Sequence, residues 1–162
     1  MIIPLQGPAT EMADDQDVAR KVQFIDFEYS VPCPPAFDLA NHFSEWAGYD
    51  CDYNMLPTQT TRRGFIERYL EYYTRHETEL GKSRNLSVRQ LCYEVDRYRG
   101  MPGLFWGAFA LIQQEVSEVS FEWQLFADQK LAEFWAWRRE TDSSREQAGE
   151  EMPLRERRWS SE

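Results

Sequence analysis

Downstream of Ala36 the apolar residues recur at three- and four-residue steps almost to the end of the chain, and only one short stretch upstream reads as a strand. That imbalance predicts a mainly α domain with a small β element. Residues 22–29 (VQFIDFEY) are β-favouring and apolar and end in acids, as a buried strand does. Three prolines make 30–35 an irregular connection. Helices are expected over 37–46, 58–80, 87–99, 104–119 and 121–139. The second carries Phe65, Ile66, Tyr69, Leu70 and Tyr73 on one side and is ended by Gly81. The third has Leu91, Val95 and Tyr98 as its stripe. Gly100-Met101-Pro102-Gly103 breaks the chain, and the helix after it is apolar on nearly all sides through Ile112, so it is expected to be the most buried. A lone strand needs neighbours for its backbone groups, and this chain offers few.

The domain reading is a loop over 1–21, a lobe over 22–139, and a charged, Pro-broken tail over 140–162 that is expected to lie on the surface or loose. With 42% hydrophobic residues the chain can build a core, which excludes a disordered segment. Aromatics reach 15%, a high share that leaves core and binding surface both open, with core packing the ordinary reading for each ring taken alone. A net charge of −10 argues against nucleic acid or an anionic membrane surface as partner. It fits a cationic ligand, although a solvated acidic surface gives the same number. Cys33, Cys51 and Cys92 are odd in number and lack C-x-x-C spacing, which reads as reduced thiols in a cytoplasmic protein. No signal peptide is visible and no apolar run is long enough to insert in a membrane.

Two groups of residues carry chemistry. Asp26 and Glu28 close the strand-like stretch. Acids there form turns as readily as they bind metal, but a rigid strand end can aim one carboxylate at a nucleotide-bound Mg²⁺. Asp38, Asn41, His42 and Glu45 recur at three- and four-residue steps, which puts them on one face of a helix otherwise marked by Phe37, Phe43 and Trp46. Such a face either lines a polar cleft or meets solvent. His42 reads as a structural, hydrogen-bonded histidine.

Three blocks, V-Q-F-I-D-F-E-Y-S (22–30), F-D-L-A-N-H-F-S-E-W (37–46) and F-W-G-A-F-A-L-I-Q (105–113), make the chain resemble the choline/ethanolamine kinase family over roughly 22–139. The ending M-P-L-R-E-R-R-W (152–159) is similar to the ethanolamine branch. The resemblance implies the C-terminal lobe of a protein-kinase-like fold. It implies ATP as co-substrate and Mg²⁺ as cofactor, with Asp26 as the metal ligand and Asp38 as an acid supporting the catalytic loop. It also implies Glu45 beside the cationic head of ethanolamine or choline and Trp106 as one wall of an aromatic cage. Phe109 and Phe126 stand at cage positions where choline-preferring relatives tend to have Trp and Tyr. Trp123 and Tyr49 lie near that pocket by position.

The departure from the family is large. No His-x-Asp-x-x-x-x-Asn catalytic loop occurs in the sequence, nor a nucleotide-covering loop or its lysine. Met1-Ile2-Ile3-Pro4 looks like the strand that follows that loop, which points to a chain truncated upstream. The expectation is therefore an ethanolamine kinase that makes phosphoethanolamine for phosphatidylethanolamine synthesis, incomplete and inactive on its own. The alternatives are choline kinase and a non-catalytic fragment acting by protein interaction. A homodimer is an open partner.

Overall fold

The computed structural model describes residues 27–79 and 86–162. The chain divides into two compact units, Met1–Cys33 and Pro34–Glu162. In the first, Phe27–Tyr29 winds into a 3-10 turn, and the Ser30 N–H donates to the Phe27 carbonyl at 2.9 Å. The expected strand over 22–29 is thus corrected at its end, because the local hydrogen bond takes a carbonyl that a strand would offer to a neighbour. Residues 22–26, including Asp26, lie outside the described residues, and no strand occurs among those that are described.

The second unit is helical. Helix α1, Pro35–Ser44, starts on a proline, whose missing N–H costs nothing in the first turn, and Asp38 complements the helix dipole there. Ala36, Leu39, Ala40 and Phe43 form its buried stripe. It tightens into a 3-10 turn, Glu45–Ala47, and stops at Gly48, whose φ of 65° favours glycine. A second 3-10 turn, Tyr53–Met55, leads to α2, Gln59–Glu79. Helix α3, Val88–Tyr98, is capped by Ser87, whose hydroxyl accepts from the Gln90 N–H at 3.1 Å. Ile66 and Leu70 of α2, and Leu91 and Val95 of α3, meet the α1 stripe in the core.

Helix α4, Met101–Val116, begins earlier than expected, because Pro102 sits in its first turn rather than breaking the chain. It pairs with α5, Trp123–Thr141, through Gly103 and Gly107. A Cβ on Gly103 would lie 2.5 Å from the Lys130 carbonyl oxygen, and one on Gly107 would lie 2.7 Å from Leu131 Cγ. The helices therefore touch backbone to backbone. This also overturns the expectation that α4 is the most buried helix. Its inward line is Pro102, Gly103, Gly107 and Ala110, while Leu104, Phe105, Leu111 and Ile112 are exposed.

The tail is corrected as well. After the short α6, Ser144–Gln147, helix α7, Leu154–Trp159, buries Arg155, Glu156 and Trp159. Trp159 joins the α1–α2–α3 core and its indole N–H donates to Asp96 at 2.8 Å. The Arg62 guanidinium lies over the Trp159 ring at 4.3 Å and donates to its carbonyl at 2.8 Å. The Gln59 N–H closes on the Ser161 carbonyl at 2.8 Å. An indole and the stem of an arginine bury apolar area that the charge count of the segment hides.

Candidate functional site

Asn41 and Glu45 stand one helical turn apart, on α1 and the 3-10 turn that extends it. The Trp106 indole N–H of α4 donates to Asn41 Oδ1 at 2.8 Å. Lys130 Nζ of α5 donates to Glu45 Oε1 at 3.4 Å. From Trp106 the aromatic rings continue edge to face. Trp106 meets Phe109 at 5.4 Å, Phe109 meets Trp123 at 6.2 Å, and Trp123 meets Phe121 at 4.6 Å. Phe121 touches Phe126 at 5.6 Å and Tyr49 at 6.4 Å. The Lys130 ammonium lies 5.4 Å from the Phe126 ring centre, so the carboxylate and the aromatics share one neighbourhood.

Beneath Glu45 runs a buried ionic network. Lys130 also pairs with Glu133 at 3.5 Å. Glu133 accepts from the Tyr53 hydroxyl at 3.3 Å and from Arg155 Nε at 3.1 Å. Arg155 further donates to Glu156 at 2.7 Å, to the Ser44 hydroxyl at 3.3 Å and to the Arg99 carbonyl. Arg99 Nε closes the network on Glu156 at 2.8 Å. Three carboxylates thus meet three cations, which is how charges stay buried without an uncompensated member.

The protonation states follow from this packing. Burial pushes the Glu45 carboxyl above its usual range, and the Lys130 charge works against that rise. Burial alone would lower Lys130, but Glu133 and Glu45 outweigh it and hold the ammonium above its ordinary value. The two partners shift the same way because Lys130 answers to two carboxylates, whereas Glu45 has one cation and a nearby like charge. Burial raises the Cys51 thiol, and burial with Glu133 raises the Tyr53 phenol strongly. Lys130 is therefore charged and both Cys51 and Tyr53 are protonated at neutral pH.

Of the expected site residues, Glu45, Trp106, Phe109 and Phe126 come together, and Trp123 and Tyr49 join them through Phe121. Asp38 is exposed in the first turn of α1, where its charge acts on His42. The expected shared face splits. Asn41 and Glu45 turn to α4 and α5, while His42 packs on Phe65 of α2 at 4.9 Å and accepts from the Trp46 indole at 3.4 Å. Partial burial lowers the His42 pKa, with Asp38 opposing, while the residue as a whole stays exposed.

Sequence reasoning missed Phe121, Lys130 and Glu133. One signal was present: Lys130 and Glu133 fall three and six residues after Ala127 on the inward line of α5, where charge needs an explanation. Among the described residues no group of three or more His, Cys, Asp or Glu side chains could hold a metal. A Mg²⁺ carried on ATP asks for only one or two protein carboxylates, and Asp26, the residue expected to supply one, lies outside the described residues. No described helix is long and apolar enough to cross a membrane.

Comparison with known proteins gives this geometry its setting. Residues 12–135 match the family model described as choline/ethanolamine kinase. The chain belongs to the choline/ethanolamine kinase family, a family of phosphotransferases. It is 36% identical over 107 residues to a probable ethanolamine kinase of Arabidopsis thaliana, covering 66% of this chain and 27% of that protein. It is 35% identical to mouse ethanolamine kinase 1, covering 65% of this chain and 30% of that one. It is 30% identical to a probable choline kinase 2 of Arabidopsis thaliana, covering 76% and 35%. The structure of a Plasmodium vivax ethanolamine kinase superposes with a TM-score of 0.55 at 31% identity, covering 69% of this chain and 27% of that one. The chain thus spans about a quarter to a third of the length of these relatives. The mainly helical C-terminal lobe of a protein-kinase-like fold, expected from the sequence, agrees with that neighbour.

Proposed function

We propose that this chain carries the head-group-binding part of an ethanolamine kinase, and that its site recognises a primary ammonium. The observation that carries the reading is a half-exposed carboxylate, Glu45, set beside a run of edge-to-face aromatics from Trp106 to Phe126. A carboxylate accepts N–H groups, and aromatic faces attract the cation's charge. Ethanolamine presents three N–H donors, whereas the trimethylammonium of choline presents none and relies on the rings alone. Phe109 and Phe126 give a less electron-rich cage than Trp and Tyr would, so the carboxylate carries more of the selectivity. The higher identity to ethanolamine kinases than to choline kinase 2 supports the same branch.

ATP bound with Mg²⁺ would supply the phosphoryl group in the cytoplasm, with Asp26 as the metal's protein ligand and Asp38 supporting the loop that carries the base. The residues of this chain bind and orient the amine. With no His-x-Asp-x-x-x-x-Asn loop in its sequence, the 162-residue chain binds the amine without phosphorylating it.

Binding isotherms for ethanolamine and choline test this. Trp106→Ala weakens both ligands. Glu45→Gln removes a charge-assisted hydrogen bond of roughly 1.5–3 kcal/mol, about tenfold or more in affinity, for ethanolamine alone. Equal losses for both ligands would show that Glu45 does not read the ammonium. Absence of binding by either ligand to the folded chain refutes the site.

A further inference from the structure

Lys130 is the least expected member of the site. Its side chain is only 1% exposed, yet it ends in a charge directly under the Glu45 carboxylate, which is 39% exposed. One oxygen of Glu45, Oε1, is taken by Lys130, and no other described side chain is hydrogen-bonded to this carboxylate. Lys130 is itself fixed from below. Gly103 lets α4 press on the Lys130 backbone, and Glu133 holds its ammonium while being held by Tyr53 and Arg155. The lysine has no freedom to follow the carboxylate; the carboxylate must follow the lysine.

Resting on the head-group reading above, we propose that Lys130 is a positioning residue for substrate recognition. It anchors one Glu45 oxygen from inside the protein and so presents the other, still ionised, to an incoming ammonium group. A ligand cation then docks on a carboxylate that is oriented before binding, which spares the cost of ordering it. The charged and titratable groups around Glu45 are Lys130 and Glu133 on α5, Cys51 and Tyr53 in the segment after Gly48, and Arg155 on α7. Cys51 and Tyr53 stay protonated, and Arg155 is engaged by Glu133 and Glu156. That leaves Lys130 as the group that favours a charged Glu45 and Glu133 as the group that opposes it.

The pH profile of ethanolamine binding separates positioning from a structural role, because ethanolamine is the ligand that Glu45 reads and its primary ammonium keeps its proton from pH 5 to about 8. Saturation-transfer NMR of its methylene protons on the 162-residue chain gives the profile. In wild type, binding persists as pH falls into the acid range. In Lys130→Met the acid midpoint of binding moves up by at least about one pH unit, a tenfold change in proton concentration. Affinity then recovers towards about pH 8, and Lys130→Arg restores the wild-type profile. Should Lys130→Met fail to fold by circular dichroism, Glu133→Gln moves the midpoint the other way, downward, by removing the opposing charge. An unchanged midpoint in the folded variants overturns the inference. Trp106→Ala distinguishes the two levels. If it abolishes binding while Lys130→Met leaves the midpoint in place, the head-group site stands and only the role of Lys130 falls. If wild type binds no choline and no ethanolamine, both fall.

Discussion

Helix α4 and helix α7 reverse the order that hydrophobicity alone would assign them. Residues 104–112 of α4 read LFWGAFALI, yet Ile112 is 61% exposed and Leu104, Phe105 and Leu111 face outward. Helix α7 reads LRERRW, yet Arg155, Glu156 and Trp159 are among the most buried residues of the unit. The difference lies in what each helix offers its neighbours. On α4 the closest approach to α5 uses two glycines, so the contact excludes the large side chains and turns them outward. On α7 each buried charge meets an opposite one already in place, Glu133 for Arg155 and Arg99 for Glu156, and Trp159 fills the core between α2 and α3. Average apolarity describes a segment; shape and charge complementarity decide which face it buries.

The contrast can be broken at its strongest point first. Arg155→Ala leaves Glu133 and Glu156 short of a buried partner, and the expected loss is about 3–5 kcal/mol in a denaturant titration. That is a large part of a total of roughly 5–15 kcal/mol. A loss under 1 kcal/mol would mean that the C-terminal helix is not docked. Gly103→Ala comes next. An exposed helical glycine gains about 0.5–1 kcal/mol on becoming alanine. Here the new Cβ meets the Lys130 carbonyl oxygen, and the overpacking costs about 1–3 kcal/mol instead. The sign of the change in melting temperature is the readout, and stabilisation would show that α4 and α5 stand further apart. The smallest effect sharpens the comparison from the other side. Ile112→Ser, on the exposed face of the most apolar helix, should shift stability by no more than about 0.5 kcal/mol. A shift above 2 kcal/mol would place that face in a contact.

Much of the helical layout was legible in advance because helix periodicity is local. The stripe Ile66–Leu70, the stripe Leu91–Val95, and the helix that begins at Ser87 all follow from residues within two turns of one another. Pro102 misled, since a proline reads as a breaker in a helix interior and as a starter in the first turn, and only the backbone upstream of it tells which. The site was half legible. Glu45 and Trp106 announced themselves through motif resemblance, and the spacing of Asn41 and Glu45 foretold a common face. Their partners did not: Asn41 and Trp106 are 65 residues apart, Glu45 and Lys130 are 85, and Ser44 and Arg155 are 111.

From its sequence alone this protein is a mainly helical lobe of the choline/ethanolamine kinase family with a carboxylate and an indole in motif positions, because periodicity and motif are properties of neighbouring residues. Tertiary structure decided that a lysine from α5 stands beneath that carboxylate, that His42 turns away to Phe65, and that a charged tail closes the core. Those outcomes depend on which groups satisfy a buried charge, and a buried charge takes its partner from whatever part of the chain packing brings within about 4 Å.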